Sequence, residues 1–445
     1  MASDLLSIGR SGALAARVAL DVTAQNIANA STSGYVRRSA LLAEVSSSGG
    51  IGTIGDVSLS GVRLDRVVRN ADLFRQAEVR RTGADAARAT AEVAGLENTE
   101  AAVEQSGVYD AMVKFEGSLQ QLVGDPTSSA LRANVIEDAR TAASTFNIAA
   151  NSLDSVGTGL RFEASDGVTQ VNTLGQELAR VNLRLARAAD SSSDQTALLD
   201  QRDNLLQKLS GFTDVATTIN ADATVEVRIG GASGALLVQG GTAQTLGMTT
   251  AADGTISFDV GGTPTTLTGG ALAGKALALV KLADVHTRLD TIANAMMAAV
   301  NAAQTSGVAL DGSAGQPLFS GSSAATMAVA LTDGAGIATA PAGAGANSRD
   351  PANLDALRSA LATSGPTSAL DGLLFDISST VAGRTVTRDA LTTIAGSARL
   401  SLDAQAGVDL DAEATNLVRY QQAFQASGRV MQAAKDIFDT LLAIR

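Results

Sequence analysis

The chain has 445 residues, a formal net charge of −12, 44 glycines against 6 prolines, and only 3% aromatics. This length exceeds a single ordinary core and predicts roughly two to four domains, while the acidity excludes a nucleic-acid surface, which needs clustered Lys and Arg. Absent cysteine and a single histidine exclude disulfides, thiolate metal sites and Cys–His catalysis, and without a run of about eighteen apolar residues no membrane insertion is expected.

The first predicted element covers about residues 4–30. Leu6, Ala13, Leu20 and Ile27 recur every seven residues beside a second row of Ile8, Ala15 and Val22, giving a helix one broad apolar face. Charges interrupt this opening and no small-residue cleavage site follows, so a Sec signal peptide is not expected. The stretch QNIANASTSGYVRR at 25–38 then stops the helix. Asn26 and Asn29 lie one turn apart at its end, where amide side chains can bond freed carbonyls. Gly34 can take the left-handed conformation that a reversal needs. By themselves these residues read as a C-cap and loop. Residues 46–61 are a Gly/Ser-rich break with short strand potential.

Helical patterns dominate from about 70 to 210. Gly124-Asp125-Pro126 marks a stop, and Thr127 to Ser129 supply candidate caps for the next helix. Leu198, Leu199, Leu205, Leu206 and Leu209 give the last helix of the series its apolar face, with Gly211 expected at its C-terminus. Residues 213–270 change to period two. Val225, Val227 and Ile229 alternate with Glu226 and Arg228, and Ile256, Phe258 and Val260 with Ser257 and Asp259, around a hairpin signal at Asp253-Gly254. A helix resumes at about 271–304, residues 333–350 form a low-complexity loop, and shorter helices occupy about 351–362. A final helical stretch from about 366 to 445 is expected to break near Gly407.

That last stretch carries a heptad seam. Leu410, Leu417, Phe424, Met431 and Phe438 recur every seven residues, and Tyr420, Ala434 and Leu441 follow members of that row by three; Glu413 and Ser427 are its imperfect positions. A helix at a chain end is marginal in water without a partner, and the N-terminal stripe has a matching length. Tyr35, Tyr420, Phe424 and Phe438 draw on a small stock of aromatics, which points to burial at contacts. Spacing alone leaves open whether the two arms meet each other, meet other subunits, or pack on the helical body.

No pattern carries chemistry. His286 sits in a helical run with no second histidine or cysteine beside it, so it reads as a satisfied or surface side chain. Asp409, Asp411 and Glu413 place negative charge at a helix N-terminus. Asp311-Gly312 lacks full calcium-loop spacing, and GGASG lacks the lysine of a phosphate loop. No enzyme activity, cofactor or metal is expected.

Two long stretches, LDVTAQNIANASTSGYVRR at 20–38 and VDLDAEATNLVRYQQAFQASGRVMQAAKDIFDTLL at 408–442, resemble the terminal signatures of flagellar rod, hook and hook-associated axial proteins. QRDNLLQKLS at 201–210 and VNAAQTSGVALDGSAGQPLF at 300–319 are most similar to the hook-associated members. The resemblance is weakest over 213–270 and 333–350. Where the family usually has proline before the Gly-Tyr pair, this chain has Ser33.

The resemblance implies a mainly α fold with a small inserted β domain: an elongated helical bundle with coiled-coil arms at both ends. It assigns 1–45 and 400–445 to a terminal coiled-coil domain lining a tube, 46–212 and 271–399 to a helical body, and 213–270 to the β insert. It implies a secreted junction subunit at the extracellular hook–filament joint, forming a homo-oligomeric ring with hook protein below and the third hook-associated protein above. An export chaperone would hold the C-terminal arm before assembly. Contact residues implied are Leu20, Asn26, Ile27, Asn29, Gly34, Tyr35, Leu417, Tyr420, Phe424, Met431, Phe438 and Leu441, with Arg37-Arg38 as a short surface segment able to touch adjacent subunits. Hook protein is the alternative within the family, although it places mostly β structure between the signatures. A surface-layer or adhesin-like protein would show β repeats along most of its length, and a wall-cleaving enzyme would need paired carboxylates in a pocket.

Overall fold

A computed structural model describes residues 2–32, 34–46, 59–189 and 192–443, and the described side chains exclude those of 2–4, 46, 59, 60, 193 and 441–443. Ser33 and most of the Gly/Ser-rich break at 46–61 therefore lie outside the described residues.

The chain is mainly α, as its spacing predicts. Helix α1 (Ala2–Ala28) leads into an antiparallel hairpin of β1 (Arg38–Ser46) and β2 (Leu59–Arg69). The break at 46–61 thus falls between two long strands, which expected strand potential covered only in part. Helices α2 (Leu73–Glu104), α3 (Val108–Gly124), α4 (Ser129–Leu185) and α5 (Ser193–Phe212) follow. The Gly124-Asp125-Pro126 stop ends α3, and the Ser128 hydroxyl accepts from Leu131 N at 3.4 Å to open α4. Ser192 caps α5 by accepting from Gln195 N at 3.1 Å. Gly211 stays helical, and Thr213 closes that helix instead.

Strands β3 (Ala216–Ile219), β4 (Val225–Ile229), β5 (Ala235–Gln239) and β6 (Thr242–Ala243) make a four-stranded antiparallel sheet. Strands β7 (Leu246–Thr250), β8 (Ile256–Val260) and β9 (Thr263–Thr265) make a separate three-stranded one. Helix α6 (Gly270–Ser306) precedes four two-residue strands, β10 (Gly307–Val308), β11 (Phe319–Ser320), β12 (Ala328–Val329) and β13 (Ala340–Pro341). Helices α7 (Ala352–Ser364), α8 (Pro366–Ala406) and α9 (Leu410–Ala443) complete the chain, with the break at Gly407.

Two compact units divide these elements: Met1–Gly83, Asn172–Thr245 and Thr392–Arg445 form one, and Ala84–Val171 with Leu246–Leu391 the other. The stretch 213–270, expected as one inserted β domain, therefore carries two sheets that belong to different units. Each sheet buries its apolar side on its own helices. In the terminal unit Asn182 of α4 binds Val225 through both its carbonyl (2.8 Å) and its N–H (3.0 Å). In the other, Arg161 of α4 reaches the Gly254 carbonyl at the β7–β8 turn. Alternation reports which face is apolar, and it carries no information on which helix that face meets.

The second unit has the larger core. Met112, Phe115 and Leu119 of α3, Phe146 and Leu153 of α4 and Met296 of α6 are fully buried, and Phe115 meets Phe319 edge-on at 5.8 Å. Arg132 is buried there with no carboxylate partner among the described residues. Its guanidinium donates to the carbonyls of Pro126 (2.6 Å), Gly334 (3.0 Å) and Ile337 (2.8 Å) and to the Thr339 hydroxyl (2.8 Å), and burial lowers its pKa. The glycine-rich stretch expected as a loop at 333–350 is thereby pinned over its first residues.

Candidate assembly site where the chain ends meet

In the terminal unit α1 and α9 run antiparallel and very close. A Cβ on Gly9 would lie 2.7 Å from Met431 Cγ and 3.2 Å from the Met431 nitrogen, and one on Gly12 would lie 2.7 Å from Ser427 Oγ. At Gly9 the α9 backbone and the Met431 side chain leave little room for a side chain, whereas at Gly12 the Ser427 hydroxyl would have to turn away. Ala13, Ala15, Ala16, Ala19 and Val22 supply the rest of the buried face of α1, and β2 covers part of it, with Val62 N donating to Ser11 Oγ at 3.3 Å. Small side chains let backbones approach, which matches the alanine-rich composition.

The expected contact residues divide. Leu20, Ile27, Leu417, Tyr420 and Met431 are half-buried, whereas Phe424 and Phe438 are 45% and 54% exposed. Leu441 belongs to α9, but its side chain lies outside the described residues. The two positions that interrupt the apolar seam are both engaged: Ser427 lies against Gly12, and Glu413 is 1% exposed. Leu5, Leu6 and Leu14 on α1 are also exposed. The paired ends therefore bury small residues between themselves and leave large apolar ones outside.

The reversal after α1 is held by one amide. Asn26, 1% exposed, donates from Nδ2 to the Arg38 carbonyl (2.8 Å) and accepts at Oδ1 from Arg38 N (3.0 Å) and from the Tyr35 hydroxyl (2.9 Å). Its side chain thus pairs with the first residue of β1 as a neighbouring strand would. Asn29 turns back on its own helix and donates to the Gln25 carbonyl at 2.9 Å. Gly34 has φ +79°, and a Cβ there would lie 2.9 Å from Asn204 Nδ2 of α5. Burial raises the Tyr35 pKa; the Arg38 guanidinium, 5.2 Å from its ring centre, partly offsets this.

Arg37 and Arg38 are not a free surface segment. Arg37 Nε pairs with Glu413 Oε1 at 2.7 Å, and Arg37 N donates to the Ala406 carbonyl at 2.9 Å, so the reversal is tied to the break between α8 and α9. Asn70 adds a bond from Nδ2 to the Gln405 carbonyl (2.6 Å), and Arg75 one to the Ser401 carbonyl (3.0 Å). Asp409 caps α9 by accepting from Asp411 N (3.0 Å) and Ala412 N (3.2 Å). Glu413 therefore serves the long-range pair rather than the helix end.

On the other side, Arg38 Nη2 meets Asp200 Oδ2 at 2.8 Å, and Arg69 Nη2 bridges Asp200 (2.7 Å) and Asp203 (2.9 Å). Arg202 Nη2 reaches Asp203 at 2.8 Å, and Gln76 donates to the same carboxylate at 3.1 Å. Burial alone would push the Asp203 carboxyl up, but the charges of Arg202 and Arg69 and their hydrogen bonds hold it below the usual carboxylate range. This network uses Arg202 and Asp203 of QRDNLLQKLS with Asp200 just before them, and the leucine pattern by itself does not show it. The available signal was an Arg-Asp pair set between Leu198-Leu199 and Leu205-Leu206 on one helix.

Among the described residues no group of three or more His, Asp or Glu could hold a metal. His286 lies between Asp154 (3.5 Å) and Asp290 (3.6 Å) and belongs to the second unit. The arrangement at the chain ends fastens segments together and presents apolar surface.

A family model described as the flagellar hook-associated protein FlgK helical domain matches residues 93–319, just over half of the chain. The chain belongs to the FlgK helical-domain family. Two further models flank that match: flagella basal body rod protein over 6–35, and the C-terminal model of the flagellar basal body rod FlgEFG proteins over 404–444. The flagellar hook-associated protein 1 of Bacillus subtilis is 29% identical over 244 residues, covering 50% of this chain and 47% of the relative. That of Salmonella typhimurium is 28% identical over 250 residues, covering 55% and 44%. The solved flagellar hook junction protein FlgK from Burkholderia pseudomallei shares the fold at TM-score 0.50 and 23% identity, over 55% of this chain and 46% of that one. The chain thus spans about half the length of the relatives it matches.

Proposed function

We propose that this FlgK-family chain is a structural, non-enzymatic subunit of the bacterial flagellum that joins hook to filament by polymerising through its paired ends. The observation that carries this reading is the α1–α9 pair. Its interior is filled by glycine and alanine, while Leu6, Leu14, Phe424 and Phe438 stand 48%, 54%, 45% and 54% exposed. Leu6, Met431, Ala434 and Phe438 also line an open groove of about 640 Å³. Large apolar side chains kept on the surface of an otherwise well-packed arm mark an interaction face. The relatives' name, flagellar hook-associated protein 1, supports a position at the hook.

On this reading copies form a ring whose terminal arms line the tube, with hook protein below and the third hook-associated protein above. The chain leaves the cell through flagellar export and works extracellularly. Before assembly its C-terminal arm is held by an export chaperone through Leu417, Phe424, Met431 and Phe438. Alanine at those four positions should lower both chaperone affinity and motility; unchanged values for both would remove the chaperone role. The principal test is a deletion strain. Cells lacking the gene should build hooks and shed filament subunits into the medium, and a normal attached filament would refute the junction role.

A further inference from the structure

The structure shows a polar pocket of about 250 Å³ on the terminal unit, lined among others by Arg37, Arg38, Glu413, Arg419 and Tyr420. Three guanidinium groups face one carboxylate there. Arg37 is paired with Glu413 and Arg38 with Asp200. Arg38 is nine-tenths buried, and its Nε–H finds no acceptor among the described residues. Arg419 is exposed, lies 4.9 Å over the Tyr420 ring, and donates to the Tyr420 hydroxyl at 3.1 Å, with no ion pair to a carboxylate among the described residues. The pocket thus keeps surplus positive charge in a chain whose net charge is −12.

The matching carboxylate is on the same two-helix layer. The antiparallel register sets Gly9 beside Met431. Twelve residues onward in α1 is Asp21, and twelve residues back in α9 is Arg419, so the two stand at one height. Asp21 is exposed and makes no hydrogen bond or ion pair with any described residue. It is two positions from both Ala19 and Thr23, which line the pocket. At about 100° per residue its side chain leaves α1 on the side away from that pocket. One flank therefore carries the acceptor group and the other flank the basic pocket. A contact between unlike flanks repeats head to tail, and it closes into a ring when the rotation allows.

We propose that the pocket bounded by Arg37, Arg38, Arg419 and Tyr420 receives the Asp21 carboxylate of a second copy of this chain. The proposal rests on the assembly reading above and adds the polar contact that orients one copy on the next. A guanidinium–carboxylate pair of this kind steers encounter and rejects misaligned neighbours more than it adds affinity.

The chain has no cysteine, so two single variants can report the contact without background. Asp21→Cys and Arg419→Cys, differently tagged and co-expressed, should be joined into a mixed dimer by a short bismaleimide in isolated flagella. Because each copy carries one thiol, that product can form only between copies. Absence of the mixed dimer, with both variants present in the same flagella, overturns the proposal. In parallel, Arg419→Glu should cut filament-bearing cells by about tenfold, and adding Asp21→Arg to the same chain should restore them. Full filament retention by Arg419→Glu would show that the pocket holds only solvent and would likewise end the proposal. A chain absent from purified flagella altogether would instead overturn the assembly reading.

Discussion

Replacing Asn26 by alanine removes the fastening of the N-terminal reversal while leaving the helix spacing intact. Asn26 is 1% exposed and satisfies the Arg38 carbonyl at 2.8 Å, the Arg38 N–H at 3.0 Å and the Tyr35 hydroxyl at 2.9 Å. A net hydrogen bond is worth about 0.5–1.5 kcal/mol, and a stranded buried group costs about 1–3 kcal/mol. The Tyr35 hydroxyl is half-buried and can turn to water, so the two backbone groups of Arg38 dominate. Local opening of residues 35–40 should become easier by about 2–4 kcal/mol, which raises amide exchange there by roughly 30- to 700-fold. Tyr35→Phe by itself should cost about 1 kcal/mol. In the Asn26→Ala chain it should cost almost nothing, because its acceptor has gone. Hydrogen–deuterium exchange of both single variants and the double variant reads these quantities directly. Exchange within about threefold of the parent for Asn26→Ala, or strict additivity of the two substitutions, would show that the reversal is held by something else.

Three more outcomes follow from the same geometry. Gly34→Ala forces a side chain into the left-handed region beside Asn204, at a cost of about 1–2 kcal/mol; tryptic cleavage after Arg37 or Arg38 should accelerate by about 5- to 30-fold, and an unchanged rate would count against the turn. Asp203 has a folded-state pKa below its unfolded value, so its contribution is complete above the ordinary aspartate pKa of about 3.9 and is lost as pH falls through the folded value. Urea unfolding of the parent should therefore weaken in acid, and Asp203→Asn should be weaker at neutral pH with a flatter acid dependence. Arg132→Met strands four acceptors at Pro126, Gly334, Ile337 and Thr339 and should open the 333–341 segment to proteolysis. Arg132→Lys should not restore protection, because an ammonium cannot span that fork of acceptors.

The arms show how far spacing carries and where it stops. Heptads at 6–27 and 410–438 place both terminal helices, and Gly34 marks the reversal between α1 and β1. The same spacing names Phe424 and Phe438 as seam residues, yet within one chain they stay exposed. It also treats Glu413 as a flaw, although that carboxylate is buried against Arg37. Seam patterns weigh apolarity, whereas the approach of α1 to α9 selects small volume, so glycine and alanine take the interior and the larger side chains stay outside.

Local pattern was sufficient for the mainly α character, the break at Gly407, the alternating strands within 213–270 and the terminal signatures. It was sufficient because helix and strand periods, caps and turns act over a few residues. The pairing of Arg37 with Glu413, the Asp200–Asp203 network, the division of 213–270 between two sheets and the level placement of Asp21 with Arg419 belong to the tertiary structure alone. Those depend on which segments, hundreds of residues apart, are packed together, and a buried charge is defined by the neighbour it finds there.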